Sequence, residues 1–122
     1  MHASPLYKHI SSDTVELVKD YQCTFGAVIK AGFQWNGMTA NWAVGLPKFG
    51  QLVDIASIEH DYIYIYEGVL PNNDVITRKE ADVMLARNLL DAGCNPLKVE
   101  LAYRYVRAFG GLLWKRNNST KS

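Results

Sequence analysis

The chain has 122 residues, 48% of them hydrophobic, with 13 Lys and Arg against 12 Asp and Glu and a formal net charge of +1. That length and hydrophobic share suit one domain with a core of its own. The near-neutral charge argues against nucleic acid as the partner, since binding led by phosphates uses a basic stripe and the run from Lys115 to Lys121 is short.

The two cysteines, Cys23 and Cys94, form no CxxC pair, so neither a disulfide framework nor a zinc cluster is expected. No apolar run is long enough for a transmembrane segment, and the start "MHASPLYKHISSD" lacks the apolar stretch of a signal peptide. A soluble protein of the cytoplasm is the expectation. The fold class expected is α+β: an irregular N-terminus over residues 1–13, a single domain over 14–113, and a polar C-terminal tail over 114–122.

In chain order, "TVELVKDYQC" (Thr14 to Cys23) places Val15, Leu17, Tyr21 and Cys23 mostly at alternate positions, and "FGAVIKAGFQW" (Phe25 to Trp35) is partly β-branched and aromatic. They read as an N-terminal β-hairpin turning at Thr24, Phe25 and Gly26. A long loop follows from Asn36 to Gly50. Three helices should fill the rest. The first is expected from Gln51 to Glu67. The second has Thr77 as N-cap and Glu80 at its third position, a capping box, and should end near Gly93. The third has Asn95 as cap and Pro96 at its first position, and should end at Gly110 and Gly111.

At about 100° per residue, Val53, Ser57, His60 and Tyr64 share one face of the first helix, and Arg78, Asp82, Leu85, Ala86 and Leu89 share one face of the second. The short connection favours an antiparallel helix pair within the three-helix bundle. A carboxylate on a largely apolar face needs a partner. His60 would serve, and such a bond would fix the imidazole tautomer and leave the second ring nitrogen as a base. Arg78, Arg104 and Arg107 are competing partners for Asp82. Asp61, a step around the helix, is placed to hold a metal beside the base. A purely structural histidine remains the plainer reading of His60.

The motifs "GFQWNGMT", "IASIEHDYIY", "ITRKEAD" and "AYRYVRAFG" resemble, in order, a family of small phage and prophage proteins catalogued as domain of unknown function 1353. The resemblance covers about residues 32 to 110 and implies a phage origin, with the host cytoplasm or the virion as location. Asn36 and Thr39 match that family's turn positions, and they could line a site opposite His60. HDxxY followed by an AD-containing helix is also similar to the core of phospholipases A2, the disulfide-free parvoviral type above all. That similarity implies His60 as base, Tyr64 as brace, Asp82 as orienting carboxylate and Asp61 as ligand of a divalent cation such as calcium. The segment "NWAVGLPKFGQ" does not reproduce the glycine-rich calcium loop of those enzymes.

Trp35 and Trp42 are expected in the core, and Tyr62 and Tyr66 at an exposed face. Arg107 is a candidate clamp for a substrate anion or for a site carboxylate. An HD-type metal phosphohydrolase needs further histidines ahead of the pair, and His2 and His9, near the N-terminus and before the strands, are poorly placed to share its metal site; a GxSxG turn is missing. Two functions stand side by side. One is a hydrolase with a His60–Asp82 dyad acting on an ester or amide of the cell envelope, phospholipid or peptidoglycan. The other is a non-catalytic phage accessory protein that binds a host or virion protein.

Overall fold

A computed structural model describes residues 2–38, 41–70 and 75–121, the last seven as backbone. It is an α+β fold, with short antiparallel strands in two small sheets followed by helices. The strands are β1 (Tyr7–His9), β2 (Val15–Leu17), β3 (Tyr21–Gln22), β4 (Val28–Ile29) and β5 (Gln34–Trp35). The helices are α1 (Asn41–Val44), α2 (Asp54–Ile65), α3 (Arg78–Asp91) and α4 (Pro96–Lys121).

The expected hairpin turns where the sequence placed it, with Gly26 N donating to Cys23 O at 3.0 Å. It is not continuous. β3 pairs with β4 near the turn, and β2 pairs with β5 further out, Val15 opposite Trp35. Between them Asp20 accepts from the backbone N–H of Ala31, which breaks the ladder into two sheets. The start of the chain is not irregular throughout. β1 pairs with β2, Tyr7 opposite Leu17, because its Tyr7 ring packs on Trp35 and Phe49 and its hydroxyl donates to Asp54 at 2.9 Å.

The long connector contains the short helix α1, and its Met38, Val44 and Leu46 belong to the helical core. Trp35 is buried as expected, but Trp42 is 78% exposed, since the same turn of α1 turns Val44 inward instead. Tyr62 is buried, against the expectation of an exposed face. It meets Phe33 edge-on because the sheets cover the side of α2 that faces away from α3.

α2 is therefore the central element. Ile58 and Tyr62 pack into the sheet-side core, while Val53 and Ala56 pack with Leu85, Leu89, Val99, Ala102 and Val106 of α3 and α4. Glu59 reaches Asn88 whereas Tyr64, five residues on, reaches Arg78 and Asp82, so α2 and α3 run antiparallel.

α4 does not stop at Gly110 and Gly111 but continues to Lys121. These glycines serve close packing rather than helix termination. A Cβ on Gly110 would lie 2.5 Å from the Tyr64 hydroxyl and 3.0 Å from Arg78 Nη1. One on Gly111 would come no nearer than 3.8 Å to the Arg78 guanidinium. Gly110→Ala should therefore destabilise the fold by about 1–3 kcal/mol through overpacking. Gly111→Ala should stabilise it by about 0.5–1 kcal/mol through helix propensity. Urea denaturation of the two variants checks the pair; equal effects would mean that Gly110 is not pressed against Tyr64.

Candidate active site

α3 opens with the capping box read from the sequence. Thr77 Oγ1 accepts from the Glu80 N–H and Glu80 Oε1 accepts from the Thr77 N–H, each at 3.0 Å. Fixing that first turn sets the phase of the helix and presents Asp82 to α2. The side chain of Asp82 is fully buried, a costly place for a carboxylate without partners.

Its partners come from three helices. The Nε2 of His60 lies 2.7 Å from Oδ1, and the Tyr64 hydroxyl donates to the same oxygen at 2.6 Å. Arg107 of α4 donates to Oδ2 at 2.8 Å, and Arg78 adds an ion pair at 3.6 Å. The expected His60–Asp82 contact is formed, and the arginine alternatives are not exclusive of it. Burial would raise the Asp82 carboxyl, but the hydrogen bonds from His60 and Tyr64, with Arg107, outweigh it and hold the group below its usual range. Burial and the bond to Asp82 push the Tyr64 hydroxyl up, so it stays a donor.

His60 is 8% exposed, with its ring 4.2 Å from that of Tyr64. With Nε2 committed to Asp82, Nδ1 makes no hydrogen bond among the described residues. His60, Asp61 and Tyr64 all line one cleft of about 640 Å³. Its polar side also includes Asn36 and Lys48, and its apolar side includes Ile65, Phe109, Leu112 and Leu113. A cavity of about 10 Å³ beside it, lined in part by Ser57, His60 and Asp61, is at the lower limit of space for one water. An imidazole, a carboxyl, an amide and an ammonium thus line one ligand-sized space.

No family model, no curated protein and no solved structure matches the chain. The chemistry must therefore be read from these side chains.

The other sequence-derived candidates fare unevenly. Asn36 lines the cleft, its Oδ1 accepting from Thr14 at 3.2 Å. Thr39 lies outside the described residues. Arg107 donates through Nη1 to the buried Asp82, the site-carboxylate role expected for it. Arg104 is exposed and pairs with Glu100.

Asp61 borders the cleft. Calcium takes about six to eight oxygens. Among the described residues no group of three His, Cys, Asp or Glu side chains could hold a metal ion. Burial pushes the Asp61 carboxyl up to about 7, against a smaller lowering by the Asn36 backbone N–H. A carboxyl in that state is about half protonated near neutrality.

Sequence reasoning missed the buried carboxylate of Glu59. Glu59, the residue before His60, is 1% exposed. Its Oε2 accepts from the Tyr21 hydroxyl and the Thr24 N–H, each at 2.7 Å. Its Oε1 accepts from Thr24 Oγ1 at 2.6 Å and from Asn88 at 3.1 Å. This group ties the hairpin to α2 and α3. The only hint was its place among apolar residues; its partners lie 29 to 38 residues away in sequence.

Two outcomes follow from these environments. Asp82→Ala should cost about 3–5 kcal/mol, since it strands two guanidinium groups and a histidine around a buried gap, while Asp82→Asn should cost less. A thermal melt of Asp82→Ala matching the wild type would contradict the burial.

Asp61 gives a pH signature. Its folded-state pKa is raised above the unfolded value, so the folded state favours the protonated form and stability falls as pH rises from about 4 towards 7. Asp61→Asn should remove that slope. The variant should melt above the wild type at pH 8 and converge with it near pH 4; parallel curves would place Asp61 in an ordinary aqueous setting.

Proposed function

We propose that this chain is a small phage-encoded hydrolase-like protein in which His60 is the general base, acting on an ester or amide of the cell envelope, phospholipid or peptidoglycan, in the host cytoplasm or from the virion. The observation that supports it most is the His60–Asp82 bond at 2.7 Å with the second ring nitrogen unengaged on a cleft of about 640 Å³.

In this reading Nε2–H donates to Asp82, which fixes the tautomer and leaves the lone pair on Nδ1. Nδ1 takes a proton from water as the water oxygen bonds to the substrate carbonyl carbon. The imidazolium that forms is stabilised by the Asp82 carboxylate, and Tyr64 and Arg107 hold that carboxylate in place. The Asn36 amide and the Lys48 ammonium are the cleft donors available to the developing oxyanion. When the intermediate collapses, the carbon–oxygen or carbon–nitrogen bond breaks and His60 returns its proton to the leaving group.

A second reading rests on a different observation. The Asp82 cluster also joins α2, α3 and α4, with Arg78 donating to the Val106 and Arg107 carbonyls at 2.9 and 3.2 Å. A clamp of that kind suits a non-catalytic accessory protein that binds a host or virion protein.

His60→Gln separates the two. Glutamine can still donate to Asp82, so the melting temperature should stay near that of the wild type. Hydrolysis of phospholipid or peptidoglycan should fall by about 10²–10⁴. A folded His60→Gln protein with undiminished biological effect would decide for the accessory protein.

A further inference from the structure

α4 differs from the rest of the chain in charge and in surface. Between Pro96 and Lys121 it carries six Lys and Arg against the single acid Glu100, whereas the remainder of the chain is net negative. Its inward face, Val99, Ala102, Val106 and Gly110, is buried against α1, α2 and α3. On the outward side Leu97, Leu101, Tyr105, Ala108 and Leu112 recur at intervals of four, four, three and four residues, which stacks them on one face. Leu97 is 72% exposed, Leu101 52% and Leu112 65%, with Phe109 beside them at 55%. The stripe runs about 22 Å along the helix at 1.5 Å per residue.

α1, which carries the exposed Trp42, is held to α4 where Lys98 donates to the Gly45 carbonyl at 2.9 Å. At the other end Phe109, Leu112 and Leu113 form the apolar lip of the cleft. No described helix is apolar enough to cross a bilayer. An apolar stripe on a strongly basic helix is the composition that lies in a membrane interface.

We propose that the outward face of α4 docks on an anionic lipid surface, with Leu97, Leu101, Phe109 and Leu112 entering the headgroup boundary and the basic residues that the helix sequence carries beyond Arg104 and Arg107, which are paired with Glu100 and Asp82, attracted to lipid phosphates. A second copy of the chain is the poorer occupant, because pairing α4 with α4 would bring two net-positive helices together. The docking does not depend on the chemistry of His60. It places the cleft lip at the lipid surface.

The test is co-sedimentation of the full chain with vesicles of phosphatidylglycerol and, separately, of phosphatidylcholine. Binding to phosphatidylglycerol should be strong at low salt, weak on phosphatidylcholine, and reduced at about 1 M salt, where the screening length falls to about 3 Å. Leu97→Glu and Leu101→Glu, both exposed and outside the cleft, should each lower the partition coefficient by about tenfold or more through lost apolar burial, with unchanged melting curves. His60→Gln should bind vesicles like the wild type, so that loss of hydrolysis and loss of docking are read apart. Absence of binding to phosphatidylglycerol overturns the proposal, as does equal binding by the wild type and Leu101→Glu. Vesicle-free dimerisation that Leu101→Glu abolishes would assign the face to a second copy and overturn it as well.

Discussion

A carboxylate with no exposed surface governs the helical half of this molecule. Asp82 is fully buried, and such a charge persists only where enough donors surround it. Here they arrive from α2 through His60 and Tyr64, from α4 through Arg107, and from its own helix through Arg78. Three helices must be in register before the charge is compensated. The same requirement shapes α4, where a side chain at position 110 would push Tyr64 and Arg78 away from their places. What looks like a helix-breaking glycine pair is the space that lets the cluster close.

The site inherits its order from this constraint. His60 does not need a rigid loop to hold it, because the partner that orients it is fixed by two guanidinium groups and a hydroxyl. Part of the apolar side of the cleft, Leu112 and Leu113, comes from the continuation of α4 past Gly110, so the packing that satisfies Asp82 also helps to build the cleft wall. Asp61 shares the cleft but none of the compensation given to Asp82. The two aspartates are displaced in opposite directions from an ordinary carboxyl, one held ionised by donors and the other driven toward its protonated form by burial.

The parts of this arrangement legible in the sequence are the local and the periodic ones. Thr77 and Glu80 announced the start of α3 because a capping box is complete within four residues. The faces of α2 and α3 followed from helical spacing, and with them the His60–Asp82 pair. What failed depended on packing from distant segments. Tyr62 was misplaced because a wheel with one apolar face assumes one buried side, whereas α2 is covered by the sheets as well as by the helices. Gly110 and Gly111 carry the composition of a helix end, and only the position of Tyr64 shows otherwise. β1 is three residues long, and its pairing rests on the Tyr7 contacts with Trp35 and Phe49 rather than on any alternation of its own. Arg107 could not be assigned between substrate and Asp82 without knowing that α4 crosses above that carboxylate.

Glu59 and His60 are neighbours in sequence and serve different faces of α2, though both reach α3. One is locked to Tyr21, Thr24 and Asn88, the other to Asp82. A helix turns by about 100° per residue. Insertion or deletion of one residue between the start of α2 and this pair would swing both side chains out of their pockets together, leaving two buried carboxylate networks broken by a single event. The position of this dipeptide within the helix is thus fixed from two faces at once.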